Sequence, residues 1–157
     1  MRRLIFVCLL IAPMLFATDL EITDTTNTVI VVHDPYIDYG GLMGDREMDG
    51  IRLYHSGDTV EYPGLEDRLR HFKPDIAFLP INGTSARLAE LQVPPNMNSA
   101  DAVALAKVTG MRLTIPHHYD MFTFNTVDVS EFTRQADAAG VPYNVLHCGE
   151  RFTWQKT

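Results

Sequence analysis

Three side chains that could bind a metal ion stand at the ends of apolar, strand-like stretches of the sequence. His33 ends the run at residues 29–32, Asp58 follows the run at residues 51–54, and His118 follows a third run. A neutral imidazole and a carboxylate are suitable ligands for zinc or manganese, and a carboxylate can bridge two ions because it has two oxygens. The sequence therefore offers a candidate divalent-metal site whose ligands are presented by a rigid sheet.

The residues beside two of these candidates favour fixed positions for them. Gly57 permits a tight turn that directs Asp58 toward a site, and Pro116 is expected to end a strand before His118. Each candidate alone has a plainer interpretation. A single strand-end histidine is usually a hydrogen-bonded structural residue, and an aspartate in a Ser-Gly-Asp-Thr turn is usually a cap. The metal-site hypothesis therefore depends on the candidates occurring together.

Other polar residues near these runs receive structural interpretations. His55 precedes Asp58 on a strand, so the alternation of side chains predicts that it points away from that carboxylate and has a supporting role. The Asn-Gly-Thr segment at residues 82–84 could line a pocket, but a plain turn is the interpretation we favour. His71 and His147 have no motif around them and are expected to be surface or packing residues.

These candidates need a sheet to hold them, and the chain alternates between short β-rich runs and segments of helical period. Strands are predicted at residues 29–32, 51–54, 76–79, 112–115 and 143–146, with an Asp-Gly turn before the second. Helices are predicted at residues 64–72 and 130–139 and, between them, from the expected cap Ser99 to Gly110. Repeated alternation of strands and helices indicates an α/β layered architecture.

The predicted helices carry recognisable inner faces and ends. Leu65, Leu69 and Phe72 share one face of the first helix. Ser99 is expected to cap the second helix, which places Ala102, Leu105 and Ala106 inward and ends at Gly110. Gly140 and Pro142 are expected to stop the third helix.

The first residues have the pattern of a secretory signal. Arg2 and Arg3 precede an apolar run at residues 4–16, and small and polar residues follow. Leu15 stands where signal peptidase prefers a small residue, which is unfavourable for cleavage. Residues 1–19 are therefore interpreted as a signal-like or hydrophobic segment. The alternatives are a buried N-terminal strand and a start codon inside a longer reading frame. The protein is expected to be exported or periplasmic if residues 1–17 are a signal peptide, and cytoplasmic otherwise.

Composition bounds the class of protein. The chain has 157 residues, of which 46% are apolar and 21% charged, which suits one globular domain. A net charge of −7 without a cluster of Lys and Arg argues against nucleic-acid binding. Cys8 lies in the apolar run and Cys148 near the end of the chain, so neither a disulfide framework nor a cysteine-based zinc site is expected.

Four segments, taken in order, resemble the second half of the L-ascorbate-6-phosphate lactonase-like branch of the metallo-β-lactamase superfamily. They are Tyr-His-Ser-Gly-Asp-Thr at 54–59, Asn-Ser-Ala-Asp at 98–101, Ile-Pro-His-His-Tyr at 115–119 and Gly-Glu-Arg-Phe-Thr-Trp at 149–154. The resemblance covers residues 28–157. It implies an α/β fold forming the second half of an αββα sandwich, with a mixed sheet and flanking helices.

The resemblance also implies a site and a chemistry. His33, Asp58 and His118 take the roles of metal ligands, Asp58 and His118 those of catalytic residues, and His117 is the less suitable late ligand. The implied cofactor is zinc or manganese, with two ions in the complete fold. The implied activity is hydrolysis of a small-molecule lactone, ester or phosphoester by metal-activated water.

One motif of that family is missing from this sequence. The string His-x-His-x-Asp-His, which supplies most of the metal ligands, does not occur. Three hypotheses follow: a metal-dependent hydrolase whose other ligands come from elsewhere, a non-catalytic remnant or truncated product, and a membrane-anchored binding protein based on residues 4–16. An exposed half-sandwich face would also favour homo-oligomers or other association.

Overall fold

The fold is known from a computed structural model. It describes residues 51–120, 123–147 and 152–154 in full, and four earlier segments as backbone strands only. His33 lies outside the described residues, as do Asp49 and Gly50 of the predicted turn.

The chain divides into two compact units, and the first combines Met1–Ile37 with Leu146–Thr157. Its strands β1 (Arg3–Cys8), β2 (Thr18–Thr23) and β3 (Val29–Val32) form an antiparallel sheet in that order. The strand predicted at residues 29–32 is therefore present, paired with β2. The apolar stretch near the start of the chain contributes β1, which pairs with β2 over its whole length.

The second unit, Asp38–Val145, contains a mixed four-stranded sheet. Its strands are β4 (Asp45–Met48), β5 (Ile51–His55), β6 (Ile76–Pro80) and β7 (Leu113–His117), in sequential order. β4 and β5 are antiparallel and pair Met48 with Ile51, whereas β5, β6 and β7 run parallel. All five residues of β6 are buried, as expected for an inner strand of a parallel sheet.

Four helices accompany this sheet in the described part of the second unit. They are α1 (Leu65–Phe72), α2 (Ala86–Glu90), α3 (Ser99–Thr109) and α4 (Val129–Ala139). The three predicted helices are present, and the mixed sheet with flanking helices confirms the predicted fold class. The short helix α2 is additional to the prediction; its cap Ser85 accepts a hydrogen bond from the backbone of Leu88.

The hydrophobic core joins three helices to the sheet. It contains the predicted inner residues Leu65 and Leu69 of α1 and those of α3, together with residues of β6 and α4; among its members are Leu65, Leu69, Ala77, Leu79, Ala102, Leu105, Ala106, Phe132 and Ala136. Phe72, the third predicted inner residue of α1, is partly buried and packs against this core. Phe132, Leu65 and Leu69 are fully buried. Burial of side chains of this size contributes about 1.5–3 kcal/mol each, so the core fixes the helices against the strands that carry the candidate site.

Three local predictions are wrong. Asn98, not Ser99, caps α3: its side chain accepts hydrogen bonds from the backbone of residues 100 and 101, while Ser99 is the first helical residue. Residues 143–146 do not form a strand, and only an isolated parallel bridge joins Tyr143 to Thr114. Pro116 does not end β7, because it pairs with Leu79 inside the sheet.

The position of Pro116 has a simple physical reason. Two residues earlier, the backbone N–H of Thr114 donates to the carbonyl of Pro142, away from β6. By the alternation of a strand, the nitrogen of Pro116 faces that same side, where it needs no donor to complete the ladder with β6.

No helix of the described residues is long and apolar enough to cross a membrane.

Candidate functional site

The parallel strands bring the segments that follow them to one edge of the sheet. Backbone hydrogen bonds join these segments: Ser56 N donates to Phe78 O at 3.1 Å, and Ile81 N donates to His117 O at 3.2 Å. Functional side chains of α/β folds gather at the carboxyl ends of strands for this reason. The candidates that follow β5 and β7 therefore lie in the same place.

Asp58 and His118 are in direct contact at this edge. Asp58 Oδ1 lies 3.1 Å from His118 Nδ1. The side chain of Asp58 is 45% exposed and that of His118 is 25% exposed, so a ligand can reach both. The structure therefore places together the two described residues to which the sequence assigns catalytic and metal-binding roles; whether they bind a metal stays a prediction.

Left-handed backbone conformations direct both side chains. Gly57 has φ 60°, which turns the chain immediately after β5 and presents Asp58, as its glycine predicts. His118 has φ 65°, although it carries a β-carbon, and turns the chain where β7 ends. A left-handed residue other than glycine is uncommon and often marks a functional position.

Asn96 joins this pair through its side-chain amide. Its Nδ2 donates to Asp58 Oδ1 at 3.0 Å and to Asn82 Oδ1 at 3.0 Å, and lies 3.3 Å from His118 Nδ1. Its Oδ1 is buried and has no hydrogen-bond partner among the described residues. The sequence does not single out Asn96, because an isolated asparagine in the segment between two helices has no signature of its own.

Asn82 extends this network to another part of the unit. Its Nδ2 donates to Asn125 Oδ1 at 2.8 Å. The sequence favours a plain turn at residues 82–84, and Gly83 does adopt a positive φ of 60°. The turn is nevertheless part of the site, since Asn82 accepts the hydrogen bond from Asn96.

A row of rings in contact, which ends in His118, lies beside Asp58. The centroids of His55 and His117 are 4.9 Å apart, and those of His117 and His118 are 4.2 Å apart in an edge-on arrangement. His55 also stacks on Phe78 and accepts a hydrogen bond at Nδ1 from the backbone of Gly57. His55 thus supports the turn before Asp58, in keeping with the supporting role predicted for it.

Burial favours the neutral form of two of these histidines. The pKa of His117 is lowered well below its ordinary value by burial, and further by the charges that His118 and His55 would carry. Burial also lowers the pKa of His118, and the neighbouring Asp58 carboxylate opposes this shift. Because a neutral imidazole retains a lone pair, His118 is suited at neutral pH to act as a ligand.

The remaining predicted residues have separate locations. His33, the third predicted metal ligand, lies outside the described residues. His71 and His147 are exposed, as expected for surface residues.

A divalent metal is the group that this donor set suggests, and the described residues fit it in part. Within residues 51–120, 123–147 and 152–154, no group of three or more His, Cys, Asp or Glu side chains could hold an ion. Asp58 and His118 provide two ligands of suitable chemistry, whereas catalytic zinc sites use three protein ligands. The described side chains therefore offer two of the ligands that such a site would need.

No family model matches the chain. Comparison with known sequences finds relatives that are described as UPF0173 metal-dependent hydrolases. A UPF0173 metal-dependent hydrolase of Methanoculleus marisnigri is 31% identical over 98 residues, covering 61% of this chain and 39% of the relative. A UPF0173 metal-dependent hydrolase of Nanoarchaeum equitans is 28% identical over 144 residues, covering 87% and 62%. The chain thus spans between about two fifths and three fifths of these relatives' length.

Comparison with solved structures agrees with the fold. Igni18, a metallo hydrolase from the archaeon Ignicoccus hospitalis, matches with a TM-score of 0.57 and 22% identity. The match covers 86% of this chain and 50% of that protein. An isothiocyanate hydrolase from Delia radicum gut bacteria matches with a TM-score of 0.55 and 16% identity, covering 87% and 43%. At these identities the likeness establishes the fold alone.

Proposed function

We propose that this chain supplies the Asp58–His118 part of the active site of a metal-dependent hydrolase of the metallo-β-lactamase superfamily, which its sequence relatives and its fold support. One observation carries the proposal: the carboxylate and the imidazole meet at 3.1 Å at the carboxyl edge of the sheet, partly exposed. The names of the sequence relatives support the same reaction class. Asp58 and His118 are the residues proposed to act in catalysis.

Zinc or manganese is the proposed cofactor, since imidazole and carboxylate ligands serve both. Asp58 and His118 would help to hold the ion, which would supply a hydroxide-like nucleophile by lowering the pKa of bound water toward about 7. The proposed substrate is a small-molecule lactone, ester or phosphoester, as implied by the resemblance to the lactonase-like branch. Within the described residues, the chain's own contribution is to hold one carboxylate and one imidazole at a fixed separation.

The proposal includes a requirement for further ligands. His33 is one candidate, and the remaining ligands would come from outside the described residues, including a longer form of the chain or a second polypeptide. The alternative is a non-catalytic protein that retains the fold, which the missing His-x-His-x-Asp-His string favours. The hydrolase is expected to bind zinc or manganese and the non-catalytic protein is not, so a measurement of metal binding distinguishes these two functions.

The test is metal binding by the purified protein, measured by elemental analysis and by calorimetric titration with zinc and with manganese. Wild type is compared with Asp58→Ala, His118→Ala and His33→Ala. The proposal expects stoichiometric binding that Asp58→Ala and His118→Ala each weaken by at least tenfold. A hydrolysis screen with lactones and phosphoesters, on protein that has bound metal, then defines the substrate class.

Asp67→Ala and His71→Ala serve as matched controls, because both side chains are exposed on α1 and neither contacts the candidate site. They should bind metal as wild type does. Absence of metal binding by wild type, or equal binding by Asp58→Ala and Asp67→Ala, would support the non-catalytic alternative.

A further inference from the structure

The turn that presents Asp58 is held by the side chain that precedes it. Gly57 N donates a hydrogen bond to His55 Nδ1 at 3.0 Å. Gly57 is buried and left-handed, and its N–H has a single hydrogen, which this bond uses. Asp58 is the next residue in the chain. The direction in which its carboxylate leaves the strand therefore depends on a backbone conformation that His55 helps to fix.

The register of the strands brings His55 into line with two other rings. His55 pairs with Phe78 of β6. Pro80, two residues after Phe78, pairs with His117 of β7. Because side chains alternate along a strand, His55, Phe78 and His117 share one face of the sheet. The adjacent residue Tyr54 belongs to the core on the other face, which contains the helices.

Ring contacts on that face orient the His55 side chain. The centroids of His55 and Phe78 are 5.3 Å apart with an interplanar angle of 15°, and those of His55 and His117 are 4.9 Å apart at 26°. Phe78 is only 5% exposed. Aromatic rings at such separations attract one another in addition to burying apolar surface. The ring of His55 is thus fixed with Nδ1 directed toward the N–H of Gly57.

The same row of rings reaches the turn that presents His118. The rings of His117 and His118 are in edge-on contact at 4.2 Å, and Ser56 Oγ lies 3.5 Å from His117 Nε2. The segments that follow β5 and β7 are therefore joined through His117 as well as through the contact of Asp58 with His118. That contact, at 3.1 Å, requires both turns to keep their places.

We propose that His55 is a positioning residue of the candidate site: its Nδ1, oriented by the ring contacts, fixes the Gly57 turn and so holds Asp58 against His118. The position of Asp58 does not depend on a metal, whereas any effect on metal binding rests on the proposed function. Groups that orient metal ligands commonly change metal affinity by about 10- to 100-fold.

Two substitutions of His55 separate its hydrogen bond from its ring. His55→Phe keeps a ring in the row but offers no acceptor to Gly57. His55→Asn loses the ring, but its Oδ1 is as many bonds from the backbone as Nδ1 and is an acceptor. If the hydrogen bond positions the turn, asparagine should rescue what phenylalanine loses. His71→Phe makes the same exchange at an exposed position of α1 and is the control.

The first experiment measures the Gly57 turn in metal-free protein by nuclear magnetic resonance. Ser56–Gly57 is the only Ser-Gly pair of the sequence, so carbon-13 in serine carbonyls and nitrogen-15 in glycine identify the Gly57 amide. Its hydrogen exchange should be about tenfold faster in His55→Phe than in wild type. His55→Asn should recover most of the protection, and His71→Phe should resemble wild type.

The same spectra report the position of Asp58 through Asn96. The side-chain amide of Asn96 donates to Asp58 Oδ1 at 3.0 Å, and its signal is identified by its absence in Asn96→Ala. The Asn96 signal should shift in His55→Phe, because the carboxylate that it contacts moves with the turn. It should return toward its wild-type position in His55→Asn.

The second experiment titrates the same proteins with zinc and manganese. His55→Phe should bind about 10- to 100-fold more weakly than wild type, and His55→Asn and His71→Phe should bind nearly as wild type does. Thermal melts of the metal-free variants show whether the fold is retained. Failure of wild type to bind metal would count against the proposed function, while the spectra would still decide the role of His55.

Three results would overturn the role of His55. One is an unchanged Gly57 exchange rate or Asn96 signal in folded His55→Phe. Another is a His55→Asn variant that is more perturbed than His55→Phe in both signals, because ring packing alone would then explain the effect. The third is a wild-type Gly57 amide that exchanges as fast as an unprotected one, a result that remains decisive if His55→Phe does not fold.

Discussion

At the scale of the residue, left-handed backbone at Gly57 and His118 presents the candidate site. Gly57 and His118 both have positive φ, 60° and 65°, and each lies where a strand gives way to the candidate site. Glycine adopts this conformation without steric cost, whereas a residue with a β-carbon adopts it at a cost of roughly 1–2 kcal/mol. The surrounding hydrogen bonds must therefore offset this cost at His118. At position 57 glycine avoids the cost, because it has no β-carbon.

Gly57→Ala should lower the free energy of unfolding by about 1 kcal/mol, because alanine introduces a β-carbon into a left-handed residue. Gly57→Asn should lower the free energy of unfolding by less, since asparagine tolerates this conformation better than alanine does. Urea denaturation of both variants measures the difference. Equal stability of Gly57→Ala and wild type would show that the turn relaxes to a negative φ.

The sequence identifies two members of the site, gives Asn82 only as a less favoured pocket residue, and misses Asn96, for physical reasons. Asp58 and His118 are recognisable because each lies in a motif with a characteristic neighbour, Gly57 or Pro116. Asn82 and Asn96 are 14 residues apart and meet only because backbone hydrogen bonds join the turn after β6 to the segment before α3. A contact of this kind has no periodic or local signature.

At the scale of the element, capping side chains determine where the helices begin. Asn98 accepts hydrogen bonds from the backbone of Ala100 and Asp101, and the side chain of Asp101 accepts one from the backbone of Asn98. This capping box satisfies donors that the first turn of α3 cannot pair internally. Because Asn96 lies two residues before the cap, the start of α3 also helps to fix the candidate site.

Asn98→Ala should therefore destabilise the protein by about 1 kcal/mol, within the range of 0.5–2 kcal/mol found for lost caps. Asn98→Asp should retain most of the stability, since aspartate caps about as well as asparagine. The measurement is the midpoint of urea denaturation, compared between variants whose unfolding free energies depend equally on urea concentration. A loss in Asn98→Asp as large as that in Asn98→Ala would contradict a capping role.

The cap of α4 should make stability depend on acidity. Hydrogen bonds from Ser130 lower the pKa of the Asp128 carboxyl below its ordinary value. A lowered folded-state pKa means that the unfolded chain binds the proton first as pH falls. The contribution of Asp128 is thus complete above the ordinary pKa of an aspartate, near 4, and is lost as pH falls through the lower folded value.

Asp128→Asn is the variant that tests this dependence, because asparagine keeps a capping oxygen but does not titrate. As the pH is lowered from 5 to 3, the stability of wild type relative to Asp128→Asn should decrease. Melting temperatures across this range provide the measurement. A difference that does not vary with pH would exclude a role for the ionised cap.

Most elements follow from local pattern, and the exceptions have identifiable causes. The helices α1 and α3 carry apolar residues at helical spacing; α3 buries its predicted face, and α1 buries Leu65 and Leu69 while Phe72 is partly buried. Residues 143–146 have the composition of a strand, but only Tyr143 forms a bridge, to Thr114. Composition predicts that a segment can pair, whereas the number of pairs it makes depends on neighbours elsewhere in the chain.

At the scale of the whole molecule, the site is limited by what this chain contributes to it. The chain spans 39% of one metal-dependent hydrolase relative and 62% of another. It carries the strands that hold Asp58 and His118, and the described residues contain no group of three or more His, Cys, Asp or Glu side chains that could hold an ion. Association with a partner that supplies ligands, or with a second copy, remains a prediction.

Metal binding to the native protein should raise its melting temperature, because a ligand bound only by the folded state stabilises it by about 2.7 kcal/mol at 100 times its dissociation constant. For a chain of this length, that corresponds to roughly 5–10 °C. Zinc and manganese are compared with magnesium, for wild type and for Asp58→Ala. If Asp58 is a ligand, the increase is present in wild type and strongly reduced in the variant. An equal increase in both proteins would mean that the metal binds elsewhere, and no increase would mean that this chain alone does not assemble the site.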